Sequence, residues 1–226
     1  MKKFLGLLLA GAVSVSFAAN IHHKHHKHHK HVKHVKKSHK TSSAASNIES
    51  KVYSLPYQSV SEEEKNMLIN LRQEEKVARD VYLTLYNKYH ARVFSNIAKA
   101  EQTHMDAVKA LLDKYGIADP IAGKEDKVGA FADETFTNLY NQLVAEGNIS
   151  YLDSLIVGAT IEDMDIHDLD DDMANTDNED FEYVFTKLRT GSTHHLNAFV
   201  YNLNKQGYEY TPQYISLDEY NSIVNQ

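Results

Sequence analysis

The chain of 226 residues contains no cysteine, no tryptophan and only three prolines. Without cysteine it can form neither disulfides nor a thiolate-bound electron carrier, so the folded part must rely on core packing, on a bound metal, or on both. Long apolar runs are scarce as well. The one at the start of the chain, residues 4–13, is short for crossing a bilayer. It follows Met1, Lys2 and Lys3 and leads into the small residues around Ser16, Ala18 and Ala19. Basic, apolar and small-residue regions in that order predict a signal peptide over 1–18, cleaved after Ala18, and export to the periplasm or the cell exterior. An uncleaved anchor is the alternative.

Basic residues are scarce over most of the chain. The overall net charge is −7, from 24 basic and 31 acidic residues, but residues 21–40 hold nine His and seven Lys with no acid. Setting aside those seven lysines with Lys2 and Lys3 leaves 15 basic residues against all 31 acidic ones from 41 to 226, a net charge of −16. A surface of that sign repels phosphates, which argues against nucleic-acid binding. The His/Lys tract is of low complexity, with only Val32 and Val35 beyond Ile21 to bury, and is expected to be disordered. Its paired imidazoles suit Zn, Cu or Ni. Its lysines also suit anionic lipid, a polyanion or the chain's own acidic part, but the nine histidines put metal binding ahead. Residues 19–60 as a whole read as this tract followed by a linker rich in Ser and Ala.

From Ser61 onward helical periodicity takes over. Apolar spacings of three and four predict four long helices. The first runs from Ser61 to Tyr89, opens with a Ser-x-x-Glu capping box completed by Glu64, and has the seam Leu68, Leu71, Glu75, Ala78, Tyr82 and Leu85. The second runs from Ser95 to Tyr115, with Gly116 as C-cap and the seam Ile97, Glu101, His104, Val108, Leu111 and Tyr115. The third begins near Ser150, with Leu155, Ala159, Glu162, Ile166 and Leu169 on one face. The fourth, from Asn178 to Lys205, shows Phe181, Val184, Leu188, Ser192, His195 and Phe199. His194 points about one hundred degrees away from that face. Gly191 is unfavourable there by about 1 kcal/mol relative to Ala, which suggests close packing or a local distortion. A shorter helix from Asp133 to Glu146 lies in the long connection between the second and third helices. Residues 61–207 thus read as one helical domain, and 208–226 as a tail with a short helix.

The acidic residues Asp163, Asp165, Asp168 and Asp170 to Asp172 fall mostly off the seam and read as solvated surface. A Ca2+ loop over 168–172 is disfavoured, because the alternating oxygen ligands and the turn glycine are missing.

Each long helix carries a polar interruption on its apolar seam: Glu75; Glu101 with His104; Glu162; and His195. A single histidine in such a place is more often a satisfied core residue than a ligand. Four interruptions that converge in a bundle are nearly the inventory of a di-metal carboxylate site. Ionised groups buried there need partners from other helices or a cation.

Glu75-x-x-Ala78-x-x-x-Tyr82 followed by Glu101-Gln102-Thr103-His104 resembles the first half of a ferritin-like or rubrerythrin-like domain. The stretches EEKVARDVY, IAKAEQTHMDAV, GATIEDMDIHDL and HHLNAF resemble a bacterial and archaeal ferritin-like family described as a domain of unknown function. The resemblance spans roughly 61–203. It implies an all-α fold, a ferritin-like antiparallel four-helix bundle, around a dinuclear iron-type centre with Glu75, Glu101, His104, Glu162 and His195 as ligands. Manganese or zinc also suits that donor set. Oxygen or peroxide would be the partner in Fe(II) oxidation, with Glu101 and Glu162 as candidates to bridge the ions. One departure stands out: a second Glu-x-x-His would need a carboxylate at position 192, which is Ser192. Water, a bidentate Glu or a displaced carboxylate such as Asp165 could make up the shortfall, or only one ion binds well. Tyr82 reads either as a hydrogen-bond donor beside the site or as core packing. Metal buffering by the His/Lys tract, or a bundle without turnover, are the non-enzymatic readings.

Overall fold

The computed structural model describes residues 43–224, all of whose regular elements are helical. They are α1 (Ser43–Ser54), α2 (Glu62–Tyr89), α3 (Arg92–Tyr115), α4 (Glu134–Gly147), α5 (Tyr151–Met173), α6 (Glu179–Lys205) and α7 (Leu217–Val224). The fold is all-α. The signal-peptide reading and the His/Lys tract lie outside the described residues. No helix among the described residues is long and apolar enough to cross a membrane.

Local signals set most of the boundaries. Ser61 caps α2: its hydroxyl accepts from the Glu64 backbone N–H at 3.1 Å, and Glu64 Oε2 accepts from the Ser61 N–H at 2.9 Å. Ser150 caps α5 in the same way, accepting from the Asp153 N–H at 3.1 Å. The start of α3 lies three residues before Ser95, at Arg92. Only His90 and Ala91 separate it from α2, with His90 reversing the chain in the left-handed conformation (φ 54°), and Phe94 in the added turn is fully buried.

The long helices pair as two hairpins, α2 with α3 and α5 with α6. Both are antiparallel. Arg72 of α2 donates to the Met105 carbonyl, and Arg79, two turns on, to Gln102. Arg189 of α6 bonds Asp170 of α5, Ser192 bonds Asp165, and His195 lies against Glu162. Further contacts join α3 to α6 and α2 to α5, and α4 packs on both α2 and α5.

The interior is layered. One end holds Leu68, Leu71, Val108, Leu111, Leu169, Phe181, Phe185 and Leu188. The other holds an aromatic triangle, with ring centroids 5.3 Å apart for Tyr82–Phe199, 5.7 Å for Phe94–Phe199 and 6.3 Å for Tyr82–Phe94. Gly158 makes room for it, since a Cβ there would stand 2.4 Å from Phe199. The polar interruptions of the seams fall between these two apolar layers, so the geometry of the site is fixed by packing above and below.

Two expectations need correction. The stretch read as linker contains α1, because Ala45, Ile48 and Val52 repeat at three and four residues and pack on α3 and α6. Its C-terminal carbonyls are capped by the Lys114 ammonium, which reaches Val52 O and Leu55 O at 3.0 Å. The acidic residues of α5 are not simply solvated: Asp163, Asp168 and Asp172 are buried. Asp163 accepts from the Tyr210 hydroxyl at 2.9 Å and from the backbone N–H groups of Gln213 and Ile215 at 2.6 and 3.0 Å, anchoring the C-terminal segment. Residues 168–172 are continuous helix within α5 and form no loop.

Residues 117–133 are held to the outer face of α2 by a charged network that periodicity did not reveal. The Arg72 guanidinium is bidentate to Asp119 at 2.9 and 3.2 Å. Fully buried Lys76 bonds Asp80 and donates to Lys127 O at 2.9 Å, while Asp80 accepts from the Gly129 N–H. The signal was the Lys76–Asp80 spacing of four.

Candidate metal centre

In the middle layer the five seam residues meet. His104 Nδ1 lies 2.9 Å from Glu101 Oε2 and 3.2 Å from Glu75 Oε2. His195 Nδ1 lies 2.9 Å from Glu101 Oε1 and 3.3 Å from Glu162 Oε2. The imidazoles stack at 5.5 Å between centroids. All five residues are at least nine-tenths buried. His194, by contrast, is exposed.

Two overlapping donor groups result: Glu75, Glu101 and His104, and Glu101, Glu162 and His195, each with its donor atoms within 4.8 Å of one another. Glu101 belongs to both and stands between the two imidazoles. Glu162 belongs to one group only, so its place matches that of Glu75 and differs from the bridging role expected for it.

The surroundings explain how these side chains are held. Tyr82 donates its hydroxyl to Glu162 Oε1 at 2.5 Å while its ring fills the aromatic layer, so both readings of this residue apply. Gly191 is a close-packing glycine: a Cβ there would lie 2.4 Å from His104 Nε2. Ser192, fully buried, has its hydroxyl 2.5 Å from Asp165 Oδ2 and 3.0 Å from Leu188 O, two acceptors that share its single proton.

Burial and mutual charge shift every titrating group. Burial raises Glu75 to about 8, opposed by His104 and reinforced by Glu101. Glu101 behaves differently: burial pushes it up, but His104 and His195 together outweigh that and hold it below the usual carboxylate range. Burial works against the charged form of both imidazoles, yet the carboxylates prevail, raising His104 well above its ordinary value and His195 to about 10. Burial raises Glu162, and it raises Asp165 strongly with Glu75 and Glu162 adding to the effect.

Oxygen and nitrogen donors in this arrangement can hold divalent cations. Two buried oxygens of the site, Glu75 Oε1 and Glu101 Oε1, accept no hydrogen bond, although buried carboxylate oxygens are ordinarily satisfied. Glu101 Oε1 faces His195 Nδ1, whereas Glu75 Oε1 has no protein donor. The donor set and this orphaned oxygen fit a cation in the group of Glu75, Glu101 and His104.

Comparison with known proteins extends this description. The chain is 55% identical to the uncharacterized protein MJ0754 of Methanocaldococcus jannaschii over 174 residues, which are 77% of this chain and 93% of that protein. The crystal structure of hypothetical protein MJ0754 from Methanococcus jannaschii is similar with a TM-score of 0.74 at 55% identity, covering 76% of this chain and 97% of that one. Residues 64–226, which include all five seam residues, match the family described as "Uncharacterized protein domain (DUF2202)". With more than half of its length matched, the chain belongs to the DUF2202 family.

Proposed function

We propose that this is an exported ferritin-like protein whose four long helices form an antiparallel bundle around a centre for two metal ions, iron in the first instance, and that it oxidises Fe(II) with oxygen or peroxide as acceptor. The observation that carries this reading is Glu101, one carboxylate set between two imidazoles, each of which has a further carboxylate of its own. Glu75, Glu101 and His104 would hold one ion, and Glu101, Glu162 and His195 the other. Hard oxygen donors with imidazole favour Fe(II) or Mn(II), and zinc also suits them. Bound iron would supply one-electron exchange between Fe(II) and Fe(III) with open positions for the acceptor.

The protein's own contribution is positional. Tyr82 holds the Glu162 carboxylate, Gly191 leaves the space into which His104 fits, and the Tyr82, Phe94 and Phe199 rings keep one end of the layer dry. A negatively charged domain of net −16 over 41–226 attracts cations toward the site.

The test is Fe(II) consumption by the full chain on exposure to oxygen or peroxide. The wild type should oxidise Fe(II) well above the protein-free rate, and Glu101→Ala should not; equal rates would reject the reading. A second reading, metal buffering, is favoured by the paired histidines of the 21–40 tract. It predicts that deleting 21–40 removes most Cu, Ni or Zn binding, and unchanged stoichiometry counts against it.

A further inference from the structure

The two hairpins would present the same ligands if position 192 carried a carboxylate. α2 gives Glu75 and α3 gives Glu101-x-x-His104; α5 gives Glu162 and α6 gives Ser192-x-x-His195. The missing carboxylate has a neighbour that sequence spacing on α6 alone does not reveal. Asp165 follows Glu162 by three residues on α5, one turn along the same side of the helix. Its Oδ2 lies 2.5 Å from the hydroxyl of fully buried Ser192. The Asp165 carboxylate therefore occupies space that a glutamate at position 192 would enter. A serine there is short enough to leave that space free, and its hydroxyl fixes the carboxylate that fills it.

We propose that Asp165, oriented by Ser192, is the sixth ligand of the centre and supplies from α5 the second shared carboxylate, opposite Glu101. This rests on the metal-centre reading above. It gives Asp165 the binding role and Ser192 a positioning role. As the side chains stand, Asp165 belongs to neither donor group, and it lies in the field of Glu75, Glu162 and Glu101.

The experiment uses metal-free full-length chain titrated with Mn(II), read by electron paramagnetic resonance and by bound-ion stoichiometry. Two Mn(II) ions that share carboxylates give an exchange-coupled spectrum, which separates them from isolated ions on the His/Lys tract. The wild type should show the coupled spectrum. Asp165→Asn, which retains an acceptor for Ser192, should lose the coupled spectrum and one bound ion. Ser192→Ala should keep two ions with affinity for the second weakened about 10–100-fold, as when a ligand's supporting hydrogen bond is removed. The double variant Asp165→Ser with Ser192→Glu, which moves the carboxylate back to α6, should restore coupling. Unchanged coupling and stoichiometry in Asp165→Asn would overturn the proposal while leaving the metal-centre reading intact. A folded double variant that fails to regain coupling would also overturn it. Absence of any coupled spectrum in the wild type would remove both.

Discussion

The α2/α3 hairpin brings two carboxylates and an imidazole to the middle layer and the α5/α6 hairpin one carboxylate and an imidazole, and they hold them by different means. In the first, Glu101 and His104 come from one helix, Glu75 has an oxygen with no protein donor, and His104 is pressed against a glycine of the opposite hairpin. In the second, Glu162 is held by Tyr82 of the first hairpin, and the position that should carry a carboxylate is a serine bonded to Asp165. Each hairpin is thus completed by the other. The arrangement concentrates buried charge where neither hairpin alone could neutralise it, and Glu101 is where the two halves meet.

The most damaging change is Glu101→Ala, because it removes the partner of both imidazoles at once. Breaking a buried pair in this way costs about 3–5 kcal/mol, so the metal-free protein should lose much of its stability in chemical denaturation. Both metal sites should vanish together. Gly191→Ala breaks the symmetry from one side. The added Cβ must displace the His104 ring, and the strain of about 1–3 kcal/mol exceeds what is gained in helix propensity. Binding in the Glu75 group should weaken, while the Glu162 group keeps its ion; metal titration separates the two.

The pH dependence of metal affinity distinguishes the groups by their protons. Ligation requires Glu75 and His195 without their protons. In the metal-free protein Glu75 holds its proton up to about 8 and His195 up to about 10. Affinity should therefore rise with pH, roughly tenfold per unit for each proton displaced. For the Glu75 group the slope should fall by one proton above pH 8, whereas His195 imposes no such break until near pH 10. Calorimetry in buffers of different ionisation enthalpy counts the protons released. The smallest effect expected is that of Tyr82→Phe. It leaves Glu162 without its donor at a cost of about 1–2 kcal/mol and lowers affinity in the Glu162 group alone.

Spacing made the four long helices, the extra helix and all five seam residues legible, because a polar residue on an apolar stripe is visible without any tertiary knowledge. The inward choice of His195 over His194 followed from the same geometry. The same spacing is present in α1 at Ala45, Ile48 and Val52, but three apolar residues in a Ser-rich stretch do not announce a helix whose burial depends on partners in α3 and α6. Spacing also misplaced Asp163: an acid off the seam looks solvated until the returning C-terminal segment supplies the N–H groups that bury it. The sharing of Glu101 between two imidazoles, and the contact of Asp165 with Ser192, depend on helix phase and separation, which no single helix encodes.

The central claim is that these side chains hold two metal ions on either side of Glu101. A crystal structure of the iron-loaded protein, with anomalous differences recorded across the iron edge, tests it most directly. The account predicts two peaks, one bound by Glu75, Glu101 and His104 and one by Glu101, Glu162 and His195. A loaded crystal with no anomalous peak within reach of Glu101 would contradict it.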